Sequence, residues 1–139
     1  MKANELMIGD WVRKLESCGH TIPVRVTGII DEDSSVLFER RDCVHGVTDI
    51  KAFEPIPLTA EILEKNGFEQ DDYYLQFTLY LDSKRAKSRS VVMLPQDEEW
   101  SEIDMTLRCN KADVTMELCY VHELQHALRL CGIDKEIEL

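Results

Sequence analysis

Apolar residues fall at every second position from Tyr73 through Leu75, Phe77 and Leu79 to Leu81, the period of a strand with one buried face. Val91 to Leu94 follows as its hairpin partner across a polar loop. Ile103, Met105, Leu107 and Cys109 then alternate against Val114, Met116, Leu118 and Tyr120 around the turn from Asn110 to Asp113, which predicts a second hairpin in the same antiparallel sheet. The first part of the chain is more broken. Short β-prone runs at Trp11 to Arg13, Val24 to Val26, Val36 to Glu39 and Asp49 to Phe53 are separated by turn residues at Gly9-Asp10, Cys18-Gly19-His20, Asp31 to Ser35 and His45-Gly46. Several short strands at this spacing predict a small barrel or a strongly bent sheet, and the reading taken is an SH3-like barrel.

Pro55-Ile56-Pro57 removes two backbone donors and ends the strand pattern. Thr59 then stands as a helix N-cap, Leu58 and Leu63 as a hydrophobic staple, and Gly67 as the left-handed residue that closes the helix. A second helix runs from Val121 to Leu130 and ends at Gly132, with Glu136 to Leu139 as a terminal edge strand. The reading is an α+β chain in two lobes: an SH3-like β-barrel over 1–57, then an antiparallel β-rich lobe over 58–139 with two short helices near 60–66 and 121–130.

Charge narrows the function. A formal net charge of -11 at pH 7 disfavours nucleic acid as a partner, because phosphate binding needs clustered cations that displace counterions. The opening residues carry charges and a glycine where a secretory signal needs an unbroken apolar run, and no segment reaches the ~20 apolar residues of a membrane span. No membrane association and a cytoplasmic location are the expectation. The five cysteines, Cys18, Cys43, Cys109, Cys119 and Cys131, are scattered and form no C-x-x-C pair, as reduced thiols do.

One motif offers chemistry. His122-Glu123-Leu124-Gln125-His126 spells H-E-x-x-H, in which histidines one helical turn apart can share a zinc ion while the glutamate acts as general base. Over about ten residues it resembles the zinc metallopeptidase signature, which would make His122 and His126 ligands and Glu123 the base. The longer signature needs Gly and His where this chain has Arg129 and Gly132. A third ligand would have to come from Asp134, Glu136 or Glu138, or from His20 or His45. Helical phase also opposes the site: Val121, Leu124, Leu128 and Cys131 form one apolar stripe, which leaves His122 and His126 on the opposite side, facing water beside Gln125 and Arg129.

Two further features have a functional and a plain reading. Lys84, Arg85, Lys87 and Arg89 gather cations in one loop, either an anion-binding site or a solvated hairpin tip that discourages edge association. Trp100 lies in the acidic run Asp97 to Glu102, either as an anchor for a partner or as a lid on the core. No phosphate-binding glycine loop and no nucleophile-base order emerge.

The stretches Met1-Lys2-Ala3-Asn4-Glu5-Leu6, Ile8-Gly9-Asp10-Trp11-Val12, Pro55-Ile56-Pro57-Leu58-Thr59 and Tyr120-Val121-His122-Glu123-Leu124-Gln125 together resemble a family of uncharacterised proteins from gut-bacterial genomes and their prophages. The resemblance implies a phage or mobile-element context. The family pattern Y-V-H-x-L-Q-N implies that Glu123 and His126 are variable positions, and it brings no activity with it. The expectation is a non-enzymatic binding or accessory protein without a cofactor, acting through a protein partner. A zinc-dependent hydrolase and a nucleic-acid-associated accessory protein are the alternatives.

Overall fold

A computed structural model describes residues 3–30, 34–72, 74–82, 89–108 and 113–139. Among them the chain forms two five-stranded antiparallel sheets and two α-helices. It divides into two compact units, Met1–Pro57 with Tyr120–Glu136, and Leu58–Cys119 with Ile137–Leu139. The second helix, which chain order assigned to the later lobe, thus lies in the first unit. The reason is local: Val121 N–H donates to Ile56 O at 2.9 Å, and Pro57 bridges to Tyr120, so the helix begins beside the end of the first sheet.

In the first unit, β1 (Trp11–Leu15), β2 (Thr21–Ile30), β3 (Ser35–Arg40) and β4 (His45–Asp49) form a meander. β5 (Phe53–Glu54) then returns to pair with β1, giving the order β4-β3-β2-β1-β5. The sheet is open, with no pairing of β4 to β5 among the described residues. Val12, Val24, Val26, Val36 and Phe38 alternate inward and pack with Leu6, Ile50 and Phe53 as one core. β2 is longer than its short apolar run suggested and carries a register shift between Val26 and Gly28 that bends it.

Two sequence signals in this unit have a different outcome. His45-Gly46, read as a turn, is the start of β4, where Gly46 lies opposite Phe38. The Phe38 ring covers the glycine: a Cβ at Gly46 would lie 2.5 Å from Phe38 Cζ, so cross-strand packing supplies what the missing side chain cannot. The strand expected from Asp49 to Phe53 is instead a 3-10 turn, Ile50–Ala52, because Asp49 accepts from Lys51 N–H at 2.8 Å and caps it.

The second unit starts with α1 (Ala60–Lys65), where Thr59 Oγ1 accepts from Ile62 N–H as the sequence predicts. At its end, bonds from Gly67 N–H to Glu64 O and from Phe68 N–H to Leu63 O close the helix, with Gly67 at φ 79°. The sheet runs β10-β9-β8-β7-β6, from β6 (Glu69–Gln70), β7 (Phe77–Tyr80), β8 (Ser90–Pro95), β9 (Ile103–Arg108) and β10 (Asp113–Leu118). Its apolar face carries a transverse row of Phe77, Met93, Met105 and Met116.

β7 is shorter than the alternation from Tyr73 predicted, and Tyr74 and Leu75 are exposed. Its partner β8 stops at Pro95, which has no N–H to extend the ladder. Tyr73 itself is outside the described residues. Glu136 to Leu139 forms no strand. The Asn66 side chain takes both backbone groups of Glu138, accepting its N–H and donating to its carbonyl at 2.8 Å each, as a neighbouring strand would.

Adding a methyl group at Gly46 forces the Phe38 ring out of its edge-on contact with Phe53, 5.9 Å between centroids. Gly46→Ala should therefore lower stability by about 1–3 kcal/mol, seen as a lower urea midpoint with an unchanged slope.

Candidate functional site

α2 (Val121–Leu130) packs against β1 within the first unit. Its start is fixed by Glu123, whose Oε2 accepts from Tyr120 N–H at 3.0 Å. Its end is closed by bonds from Gly132 N–H to Arg129 O and from Ile133 N–H to Leu128 O, the glycine termination that the sequence predicts.

The side of α2 that bears the histidines is not turned to water. Val121, Leu124 and Leu128 are fully buried as expected, and so, nearly, are His122 and Gln125 at 5% exposure each. Helical phase within α2 reveals only its apolar stripe. Here the strand entrance at Gly9 to Trp11 offers polar backbone groups that need partners, and the polar flank of α2 supplies them. Gln125 Oε1 accepts from Trp11 N–H at 2.9 Å and Gln125 Nε2 donates to Gly9 O at 3.1 Å.

Asp10, with no exposed surface, is the other half of this junction. Its carboxylate accepts from Met7 N–H at 2.7 Å and from Arg129 Nη1 at 3.0 Å, and Oδ2 lies 2.7 Å from His126 Nε2. A buried carboxylate is tolerable only when hydrogen bonds and cations take the place of water, and these groups do so. Gly9 is required beside it twice over. Its φ is 94°, and a Cβ there would lie 3.0 Å from Arg129 Nη2.

Glu5, Pro55, Tyr120, His122, Glu123 and His126 line a concavity of about 450 Å³ in this unit. The Tyr120 and His122 rings stack at 5.9 Å, and His126 meets His122 edge-on at 5.7 Å. His122 Nδ1 is buried without a hydrogen-bond partner among the described residues. Burial holds the His122 imidazolium below its ordinary range; Glu123, Asp10 and Glu5 pull the other way, while His126 adds to the lowering.

The structure thus brings His122, Glu123 and His126 to one concavity, but commits two of them elsewhere, Glu123 to the helix cap and His126 to Asp10. Among the described residues no three His, Cys, Asp or Glu side chains form a group that could hold a metal ion. His20 and His45 are exposed, His45 with Nε2 3.9 Å from Glu39. Trp100 is half-buried in the second unit, its ring edge-on to Phe77 at 5.3 Å, at a φ of 59° in a turn where Asp97 accepts from the Ser101 N–H. Lys84, Arg85 and Lys87 lie outside the described residues, and Arg89 is exposed. Cys119 and Cys131 are half-buried, whereas Cys18 and Cys43 are exposed. No helix among the described residues is long and apolar enough to cross a membrane.

Sequence reasoning missed Asp10, Gln125 and Glu5. Asp10 carries the signal of a turn residue, and only its pairing with Arg129, 119 positions away, gives it another role. Comparison with protein-family models, with curated proteins and with solved structures returned no match.

Replacing Asp10 by Ala leaves Met7 N–H and the inner faces of His126 and Arg129 without their acceptor. A loss of about 3 kcal/mol is expected in chemical denaturation, with a smaller loss for Asp10→Asn. His122 gives a pH signature. Its folded pKa lies below the ordinary 6.5, so below that pH the unfolded chain takes up the proton first and stability falls as pH drops toward the folded value. His122→Phe should flatten this limb in urea midpoints taken between about pH 7.5 and 5.

Proposed function

We propose that this chain is a non-enzymatic binding module that acts through a protein partner and receives a basic side chain of that partner in the concavity of the first unit. The observation that carries this reading is the lining itself: Glu5 and Glu123, the latter with Oε2 already on the helix cap, share the concavity with Tyr120, Pro55 and His122, in a chain of net charge -11. Carboxylates and an aromatic face together suit a Lys or Arg head and its methylene stem. Long-range attraction from the acidic chain would speed encounter with a cationic segment.

The strand order β4-β3-β2-β1-β5, with a 3-10 turn before the returning β5, supports reading the first unit as an SH3-like barrel left open between β4 and β5. Such a fold suits protein recognition by analogy alone. In keeping with the resemblance of both ends and the middle of the chain to prophage proteins, the reading is of a partner from a phage or mobile-element setting in a bacterial cytoplasm.

A zinc-dependent hydrolase is the second reading, favoured by the meeting of His122, Glu123 and His126 at one concavity. It would require His126 to leave Asp10 and Glu123 to leave the helix cap. Calorimetric zinc titration of the protein and of His126→Ala separates the two: stoichiometric binding lost in the variant supports the hydrolase.

The binding module is tested by fluorescence anisotropy with two labelled peptide libraries matched in hydropathy, one rich in Lys and Arg and one rich in Asp and Glu. Selective binding of the basic set is expected, weakened about fivefold or more by Glu5→Gln and by added salt. Equal binding of both libraries, or indifference to Glu5→Gln, overturns the assignment.

A further inference from the structure

β4 closes one side of the first sheet, and among the described residues nothing pairs with its outer edge. The phase of its hydrogen bonds follows from two contacts that flank the β3–β4 ladder: Arg40 N–H donates to Val44 O, and Ile50 N–H donates to Ser34 O. With Phe38 opposite Gly46 and Val36 opposite Thr48, the groups of Gly46 and Thr48 point toward β3. The N–H and C=O groups of His45, Val47 and Asp49 therefore point the other way, along the open edge.

We propose that this edge docks a second copy of the same edge, antiparallel and centred on Val47. In that register Val47 lies opposite its symmetry mate, His45 opposite the second copy's Asp49, and Asp49 opposite the second copy's His45. All three pairs fall at hydrogen-bonding positions, so the two edges exchange six backbone bonds. The side chains agree with the register. Val47 is 60% exposed, and Leu37, its cross-strand neighbour, is 38% exposed on the same face. Pairing joins them into one transverse apolar row, Leu37, Val47, Val47 and Leu37, flanked on each side by an imidazole facing a carboxylate. The arrangement is self-complementary under a two-fold axis, as an isologous interface must be.

Other occupants of the edge lack such a match: an unrelated strand would set no carboxylate against His45 and no imidazole against Asp49, whose own-chain contacts are Glu39 and the Lys51 N–H. The contact is small and the chain's net charge of -11 opposes close approach, so association on the order of 100 µM is expected rather than a permanent dimer.

Sedimentation velocity over a concentration series reaching about 1 mM reads the association directly. A reversible dimer is expected. Val47→Glu, which sets like charges directly opposite each other at an exposed position, should weaken it about tenfold or more while circular dichroism stays unchanged. His45→Lys should tighten the dimer and His45→Glu loosen it, since each faces Asp49 of the other copy. A chain that stays monomeric throughout, a dimer indifferent to Val47→Glu, or one that both His45 variants shift in the same direction overturns the proposal. Any of these results leaves the basic-partner reading of the concavity untouched, because none of its lining residues lies in β4.

Discussion

The first unit depends on placing one carboxylate where water cannot reach it. Asp10 sits at the point where the chain enters β1, and its oxygens gather a backbone N–H from Met7, an imidazole from α2 and a guanidinium from the last turn of the same helix. Gln125 completes the seam by satisfying Gly9 O and Trp11 N–H. Hydrophobic contacts alone would let α2 slide along the sheet, since Val121, Leu124 and Leu128 present a smooth apolar row. Directional bonds to Asp10 and to the strand entrance fix its position and roll. The concavity beside it exists because of that setting: His122 and His126 are on its wall only while the flank of α2 is turned inward.

This seam also alters the meaning of the H-E-x-x-H segment. The same five residues that suggest a metal site perform three structural tasks: Glu123 caps the helix, Gln125 bridges to β1 and His126 contacts Asp10. His122 is the member with capacity left over: its Nδ1 is buried with no hydrogen-bond partner among the described residues, and burial disfavours its charged form. Side chains engaged in this way are held in fixed rotamers, which gives the concavity the rigid walls that selective recognition needs.

Local order was legible in the sequence because it is written in local signals. Thr59, Gly67 and Gly132 act at helix ends through bonds that span no more than five residues, and alternation located β7 and β9, whose buried residues fall at every second position. What was illegible depended on residues far apart. The inward turn of Gln125 and His126 is imposed by Gly9 and Asp10, more than a hundred positions earlier, and no periodicity within α2 contains that information. Gly46 reads as a turn until Phe38 is known to lie over it. The tail at Glu138 looks like a strand by composition, yet Asn66 already supplies the hydrogen bonds a strand would seek. The Glu5 wall of the concavity had no signal at all beyond its charge.

The first unit is assembled from both ends of the chain, with residues 58–119 inserted between its sheet and its helix. During synthesis the sheet emerges from the ribosome first, at about 5–20 residues per second, and Asp10 waits for Arg129 while the intervening segment is made. For that interval the carboxylate stays hydrated and the β1 entrance unpaired. The nascent chain therefore passes several seconds with its first sheet uncovered by α2, a window in which chaperones can hold it and in which the inserted segment is free to fold before its host.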